Sequence, residues 1–235
     1  MDKEAPKEGQ ARTLIEKAYR KIKQMIFDQR VIPGQRLVYQ DLAQELDMSR
    51  TPIINALIRL EEEGFLVSEA YRGFQVKPIG PEEAWDLFGM REALEAYAVE
   101  EAIKRADKND LEQLRQRREA HASYKPPRYT RKKFILDAEF HVQIAAITRN
   151  RVLERALKTN FEHVYLRFPV NEMDPERMVS AIEQHNALMK RIASRDIKGS
   201  VEIIRKHVVD ARDHLMRCLS STESEELFEQ VFPGT

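Results

Sequence analysis

MSRTPIINALIRLEEEGFL, residues 48–66, is the stretch on which the reading of this chain turns. Ser49 stands where a hydroxyl caps a helix, and Pro52 falls in the first turn, where a missing N–H costs nothing. Ile53, Ala56, Leu57 and Leu60 then recur at helical spacing, and Gly64 supplies a C-terminal stop. The helix therefore has a polar tip (Ser49, Arg50, Thr51) and an apolar body. Of its two adjacent isoleucines, only Ile53 lies on the apolar stripe.

Working outward, Gln40 to Leu46 reads as a short helix with Leu42, Ala43 and Leu46 inward, joined to the next by an Asp47-Met48 corner. Pro33-Gly34 forces a turn before it. From Arg12, apolar residues at Leu14, Ile15, Ala18, Tyr19, Ile22, Met25 and Ile26 trace one helical face, behind a polar tail over residues 1–10. After Gly64, Phe65–Val67 and Phe74–Val76 are strand-like and are joined by Ser68–Gly73. Three helices and a hairpin are the parts of a winged helix-turn-helix, here over residues 11–78. In that arrangement the third helix enters the major groove and the hairpin tip can reach a minor groove.

The residue chemistry suits double-stranded operator DNA. Ser49 and the first free N–H groups of the helix can take a phosphate. Arg50 can fork onto guanine, and Thr51 can meet a phosphate or a thymine methyl. Arg72 and Gly73 pair a cation with a residue that permits a tight bend at the hairpin tip. Capped amphipathic helices after tight turns also occur in proteins that never touch DNA, so the pattern alone leaves both readings open.

Bulk charge gives no help. Lys+Arg and Asp+Glu are both 39 in 235 residues, and residues 1–78 carry 13 basic against 12 acidic groups. DNA binding must then come from local placement of charge, doubled by a homodimer whose two-fold axis matches a pseudo-palindromic site. No apolar run is long enough for a membrane span and the N-terminus has no signal-peptide pattern, so a cytoplasmic protein is expected. The single cysteine, Cys218, excludes an intrachain disulfide framework and a cysteine-rich zinc site.

From Gly80 on, helical periodicity runs nearly to the end, with helices expected at 81–106, 108–123, 128–148, 151–168, 174–194 and 196–222 and an acidic tail at 223–235. The fold class is mainly α: a winged helix-turn-helix, then an all-helical bundle at 79–222 with room for one internal pocket. It has no glycine-rich phosphate loop and no Gly-x-Ser-x-Gly elbow. Asp137 and His141 are four apart on one helix, and His185 and His207 sit beside apolar residues on the last two. Three imidazoles and a carboxylate suit a divalent metal ion such as Zn²⁺, Ni²⁺ or Mn²⁺. Hydrogen-bonded core histidines would give the same pattern. His214 is set for core packing or a hydrogen bond to the site, His121 and His163 have no evident partner, and Arg167 is open between pocket and surface. Trp85, Phe88 and Tyr97 read as core or dimer interface.

IPGQRLVYQDLAQELDMSRTPIINALIRLEEEGFLV, residues 32–67, resembles the N-terminal domain of GntR-superfamily transcription regulators, in one colinear run from Pro33-Gly34 to Glu63-Gly64. Residues 81–219 resemble the all-helical, FCD-type effector domain of the FadR branch. That likeness rests on Arg91–Glu95, on Asp137…Phe140-His141 with Asn150, and on Glu183-Gln184-His185…Arg195-Asp196…His207. The resemblance implies a ligand-responsive DNA-binding regulator and not an enzyme. It assigns Asp137, His141, His185 and His207 to a metal, and implies a small organic acid effector that Arg91 could pair with. The chain departs from the family at one point. Where relatives carry Val-Arg-Glu-Ala-Leu after Thr-Pro, it has Ile54 and Asn55 at the two polar positions. A thymine-methyl contact by Ile54, or Asn55 reading adenine, would replace the missing arginine. Two alternatives remain: a metal-dependent enzyme built on the three-His/one-Asp set, without a visible extra base, and a purely structural metal.

Overall fold

Ile53, Ala56, Leu57 and Leu60 are completely buried, as their spacing requires, on a helix spanning Arg50–Glu62. The structure is a computed structural model. It describes residues 8–69, 73–128, 130–168 and 175–231, the side chains of 8–11, 69, 175 and 221–231 excepted. Two compact units are present: one runs to Pro78 and includes Leu166–Phe168, and the other holds Ile79–Tyr165 and the chain from Pro169 on.

In the first unit, α1 (Glu8–Phe27), α2 (Tyr39–Glu45) and α3 (Arg50–Glu62) pack with strands β1 (Arg36–Leu37), β2 (Leu66–Glu69) and β3 (Gly73–Val76). Ala18, Ile22 and Ile26 of α1 meet the α3 stripe and Leu42, Phe65 and Val76 in one core. Each large side chain there contributes about 1.5–3 kcal/mol by leaving water. Both helices of the helix-turn-helix end in a Schellman motif. After α3, Gly64 at φ +80° lets its own N–H reach Glu61 O (2.8 Å) while Phe65 N–H reaches Leu60 O (2.9 Å). After α2, Asp47 at φ +51° does the same, with Met48 N–H bonded to Ala43 O at 3.0 Å.

The glutamates that end α3 are fasteners. Glu63 accepts from Tyr19 Oη (2.6 Å) and Arg59 Nε (3.0 Å), Arg59 lies 3.9 Å from the Tyr19 ring centroid, and Glu61 accepts from Ser68 N–H (3.0 Å).

Two expectations change here. The hairpin of β2 and β3 forms with Leu66 opposite Val76 and Ser68 opposite Phe74, but β1 adds a third strand and makes the order β1-β3-β2. Two residues carry no periodicity to read, so only their pairing reveals them: Arg36 opposite Gln75 and Leu37 opposite Phe74. Ser49 occupies the N-cap position of α3 with extended backbone, but its side chain makes no capping hydrogen bond.

The second unit is a bundle: α4 (Pro81–Arg105), α5 (Lys108–Ser123), α6 (Arg131–Ile147), α7 (Arg151–Arg167, its last two residues counted with the first unit), α8 (Pro175–Ala193) and α9 (Ile197–Val231). Its punctuation follows local chemistry. Asp107 and Asp110 form a capping box at α5, and Thr130 and Asn150 cap α6 and α7 through their side-chain oxygens. Because Thr130 is the cap, α6 begins at Arg131 and not near 128. Helix α9 runs on to Val231, past the expected end at 222. Phe88 is core, whereas Trp85 and Tyr97 are about half exposed, at 52% and 51%. Arg212 stacks on Trp85 with 3.9 Å to the ring centroid.

Candidate metal centre and DNA-reading surface

One turn of α6 carries Asp137 and His141 on a single face, and the bundle closes His185 of α8 and His207 of α9 over them. Among the described residues, this is the one group of buried side chains whose donor atoms all lie within 4.8 Å of one another. His141 Nε2 and His185 Nε2 are 3.1 Å apart, and His185 Nε2 is 3.4 Å from Asp137 Oδ1. His207 stacks obliquely on both rings, with centroids 4.8 and 4.7 Å away.

The outward nitrogens decide which inward ones are free. His141 Nδ1 pairs with the Glu95 carboxylate from α4, so it carries the proton and leaves a lone pair on Nε2. His207 Nδ1 meets Gln184 Oε1 at 2.9 Å, and its Nε2 is buried without a hydrogen-bond partner. His185 Nδ1 meets His121 Nδ1 at 3.1 Å. Three Nε2 lone pairs and a carboxylate therefore converge among buried side chains. Facing lone pairs repel, and a cation removes the conflict. A separation near 3.1 Å also suits two ligands of one ion with metal–nitrogen distances of about 2.0–2.1 Å. The donor set fits a first-row divalent ion.

Electrostatics favours the metal-ready protonation states. Burial holds His185 and His207 well below the usual imidazole range and lowers His121 to about 4, so all three are neutral at pH 7. Burial opposes charge on Asp137, but the polar surroundings of the imidazoles and the Arg91 guanidinium outweigh it and hold the carboxyl below its usual range. Glu95 is likewise held ionised against its burial by Arg91 and His141.

Arg91 is 3% exposed. It pairs with Glu95 and lies over the Phe161 ring at 4.3 Å, and its Nη2 is buried without a hydrogen-bond partner. This i,i+4 salt bridge continues through Glu95 to His141. Sequence reasoning missed Glu95, His121, Gln184 and Lys133 as supports of this cluster. It also missed Arg177, whose Nη2 is 3.5 Å from His207 Nδ1. The only available signal was their placement one turn or less from an apolar position, which many surface residues share. His214 is buried beside Cys218 (3.7 Å) and, like His163, stands outside the four-residue group. Arg167 is neither surface nor bundle pocket: it is buried in the first unit, and Nη1 donates to Gly64 O at 2.9 Å.

On α3, Ser49, Arg50, Thr51 and Asn55 are exposed and Ile54 is half-buried, so the polar tip and the departing positions share the open side of the helix. Asn55 Nδ2 donates to Thr51 O at 2.9 Å. Gly73 begins β3 at φ +89°, where a Cβ would meet Leu37 O at 3.1 Å. Arg72 lies outside the described residues.

Two family models match in tandem: "Bacterial regulatory proteins, gntR family" over residues 14–76 and "FCD domain" over residues 86–210. The chain is similar to the Nta operon transcriptional regulator of Aminobacter aminovorans, 28% identical over 196 residues, covering 82% of this chain and 90% of that protein. It is also similar to the uncharacterized HTH-type transcriptional regulator YdhC of Bacillus subtilis (strain 168), 24% identical over 86% of this chain and 90% of that protein. Among solved structures, E. coli McbR/YncC shares the fold with a TM-score of 0.74 at 21% identity, covering 87% of this chain and 97% of that one. No described helix is long and apolar enough to cross a membrane.

Proposed function

The chain belongs to the gntR family of bacterial regulatory proteins, a DNA-binding transcription regulator with an FCD effector-binding domain, and we propose that its bundle binds a divalent metal ion and a small carboxylate effector. The observation that carries this reading is the convergence of Asp137, His141, His185 and His207, with His207 Nε2 buried and unpartnered. Those four side chains would hold the ion. Bound there, it would supply a Lewis-acidic positive charge in a buried site.

Arg91 would meet the effector's acid group through Nη2, while its tie to Glu95 and His141 keeps the guanidinium oriented. An acid held by Arg91 beside the ion would shift the regulator between DNA-binding and released states if it favoured one bundle arrangement over another.

At the operator, Ser49 and the uncapped N-terminus of α3 take a phosphate, Arg50 reads guanine, and Thr51 meets a phosphate or thymine methyl. Ile54 and Asn55 read thymine methyl and adenine, and Arg72 and Gly73 reach from the hairpin. Two copies, joined through the exposed Met90, Ala93 and Tyr97 face of α4, would place two such helices on a pseudo-palindrome in the cytoplasm.

The experiment is metal analysis of tag-free protein followed by a thermal-shift screen of small carboxylic acids with and without chelator. About one metal per chain and a metal-dependent stabiliser are expected. Metal without any stabilising acid would leave only a structural ion. Unchanged metal content in His185→Ala and His207→Ala would overturn the ligand set.

A further inference from the structure

Helix α5 supplies none of the four ligands, yet its last turn presses an imidazole against two of them. His121 is 1% exposed. Its Nδ1 lies 3.1 Å from His185 Nδ1, and its Nε2 lies 3.8 Å from Asp137 Oδ1. His185 presents Nε2 to His141 and Asp137, so a metal-bound His185 keeps its proton on Nδ1. The atom placed to accept that proton is His121 Nδ1. Two protonated Nδ1 atoms could not sit 3.1 Å apart as a hydrogen bond, so His121 must be the tautomer with its proton on Nε2, on the Asp137 side.

The backbone that carries the ring is anchored as well. Lys133, completely buried one turn before Asp137 on α6, donates through Nζ to the carbonyl oxygens of His121 and Tyr124. These are orphan acceptors at the C-terminus of α5, where a cation is favoured. The same helix thus carries a ligand, Asp137, and the anchor of the residue that orients another ligand.

We propose that His121, anchored by Lys133, is a positioning residue of the metal centre: it accepts the Nδ1 proton of His185 and so fixes the tautomer and ring orientation that offer Nε2 to the ion. This rests on the metal reading above. It differs from a ligand role, because His121 Nδ1 is engaged on the outer side of His185. Removing such an outer hydrogen bond lowers metal affinity about 10–100-fold in other metal sites.

The test uses the full-length chain, with Zn²⁺ affinity from competition against a chromophoric chelator and the visible spectrum of the Co²⁺ form. His121→Leu is expected to weaken Zn²⁺ binding about 10–100-fold with no loss of metal-free melting temperature. In His121→Asn the amide oxygen replaces Nδ1 as acceptor, and near wild-type affinity and an unchanged Co²⁺ spectrum are expected. Lys133→Met leaves the ring intact but frees the α5 carbonyls. It should weaken binding by a smaller factor, and it decides the matter if His121→Leu does not fold. Wild-type affinity in both His121→Leu and Lys133→Met, while His185→Ala loses the metal, would overturn the proposal alone. A fall in His121→Asn as deep as in His121→Leu, with an altered Co²⁺ spectrum, would make His121 a ligand and also overturn it. If wild-type protein and His185→Ala bind Zn²⁺ equally, the four-residue reading itself fails.

Discussion

At the scale of single residues, Ile54 and Arg91 carry the sharpest consequences. Ile54 is half-buried at the edge of the α3 stripe, beside exposed Asn55. An aliphatic group there can discriminate by the thymine methyl but releases no counterions. Ile54→Arg should therefore steepen the salt dependence of DNA binding by about one in the log–log slope and shift preference toward guanine. Fluorescence anisotropy over a salt series checks this, and an unchanged slope and preference would put residue 54 off the DNA. Arg91 is a different case, since its partner Glu95 is 2% exposed. Arg91→Met leaves that carboxylate with His141 as its remaining partner. A loss of about 3–5 kcal/mol is expected for breaking a buried pair, readable by urea unfolding. A loss under 1 kcal/mol would mean that Glu95 had become protonated or hydrated instead. The Arg91–Glu95 pair was legible from i,i+4 spacing. That the same carboxylate holds His141 was not, because the two residues sit on different helices.

Among the elements, the caps separate stability from function. Asp107 closes a capping box on α5, with Asp110 N–H bonded at 2.8 Å, and Asp107→Ala should cost about 1 kcal/mol. Ser49 makes no such bond. Ser49→Ala is thus expected to leave the melting temperature nearly unchanged while weakening operator binding. Paired thermal melts and gel shifts decide it, and a clear stability loss would show that the hydroxyl does cap α3. Most helices were readable because apolar spacing and punctuation agree: Asp107, Asn150 and Gly64 all stand where the helices begin or end. The failures are of two kinds. Strand β1 is too short to have a period, and its position depends on β3, far along the chain. Helix α9 outruns its expected end because the polar run 222–226 breaks the apolar spacing, although Glu, Leu and Gln are good helix formers and no Gly or Pro intervenes before Pro233.

For the whole molecule, the buried cluster makes stability pH-dependent in a stated direction. Burial lowers His121 to about 4 and holds His185 and His207 well below their ordinary value. Between those values and 6.5 the unfolded chain binds more protons than the folded one. Stability is then complete above the ordinary imidazole range and is lost as pH falls through it, by up to about 1.4 kcal/mol per pH unit for each group. Asp137 and Glu95, held ionised in the fold, extend the loss into more acidic solution. Melting temperatures of metal-free protein should fall steadily from pH 7 to pH 4.5. A flat profile would mean that the histidines are solvated in the folded state.

Across the chain, local signals determined most of what is local. The helices, the turn at Pro33-Gly34 and the placing of Asp137, His141, His185 and His207 on their helices follow from spacing and residue type, because a helix repeats within a few residues and its caps are neighbours in sequence; that these four form a metal set came only from the family resemblance. Tertiary structure alone decided the rest. It set which nitrogen of each histidine faces inward, that Glu95, His121 and Gln184 hold the outer ones, and that Ser49 leaves its cap position unbonded. Those outcomes depend on side chains from five helices meeting in one buried space, and no periodicity along a single helix encodes which atoms meet there.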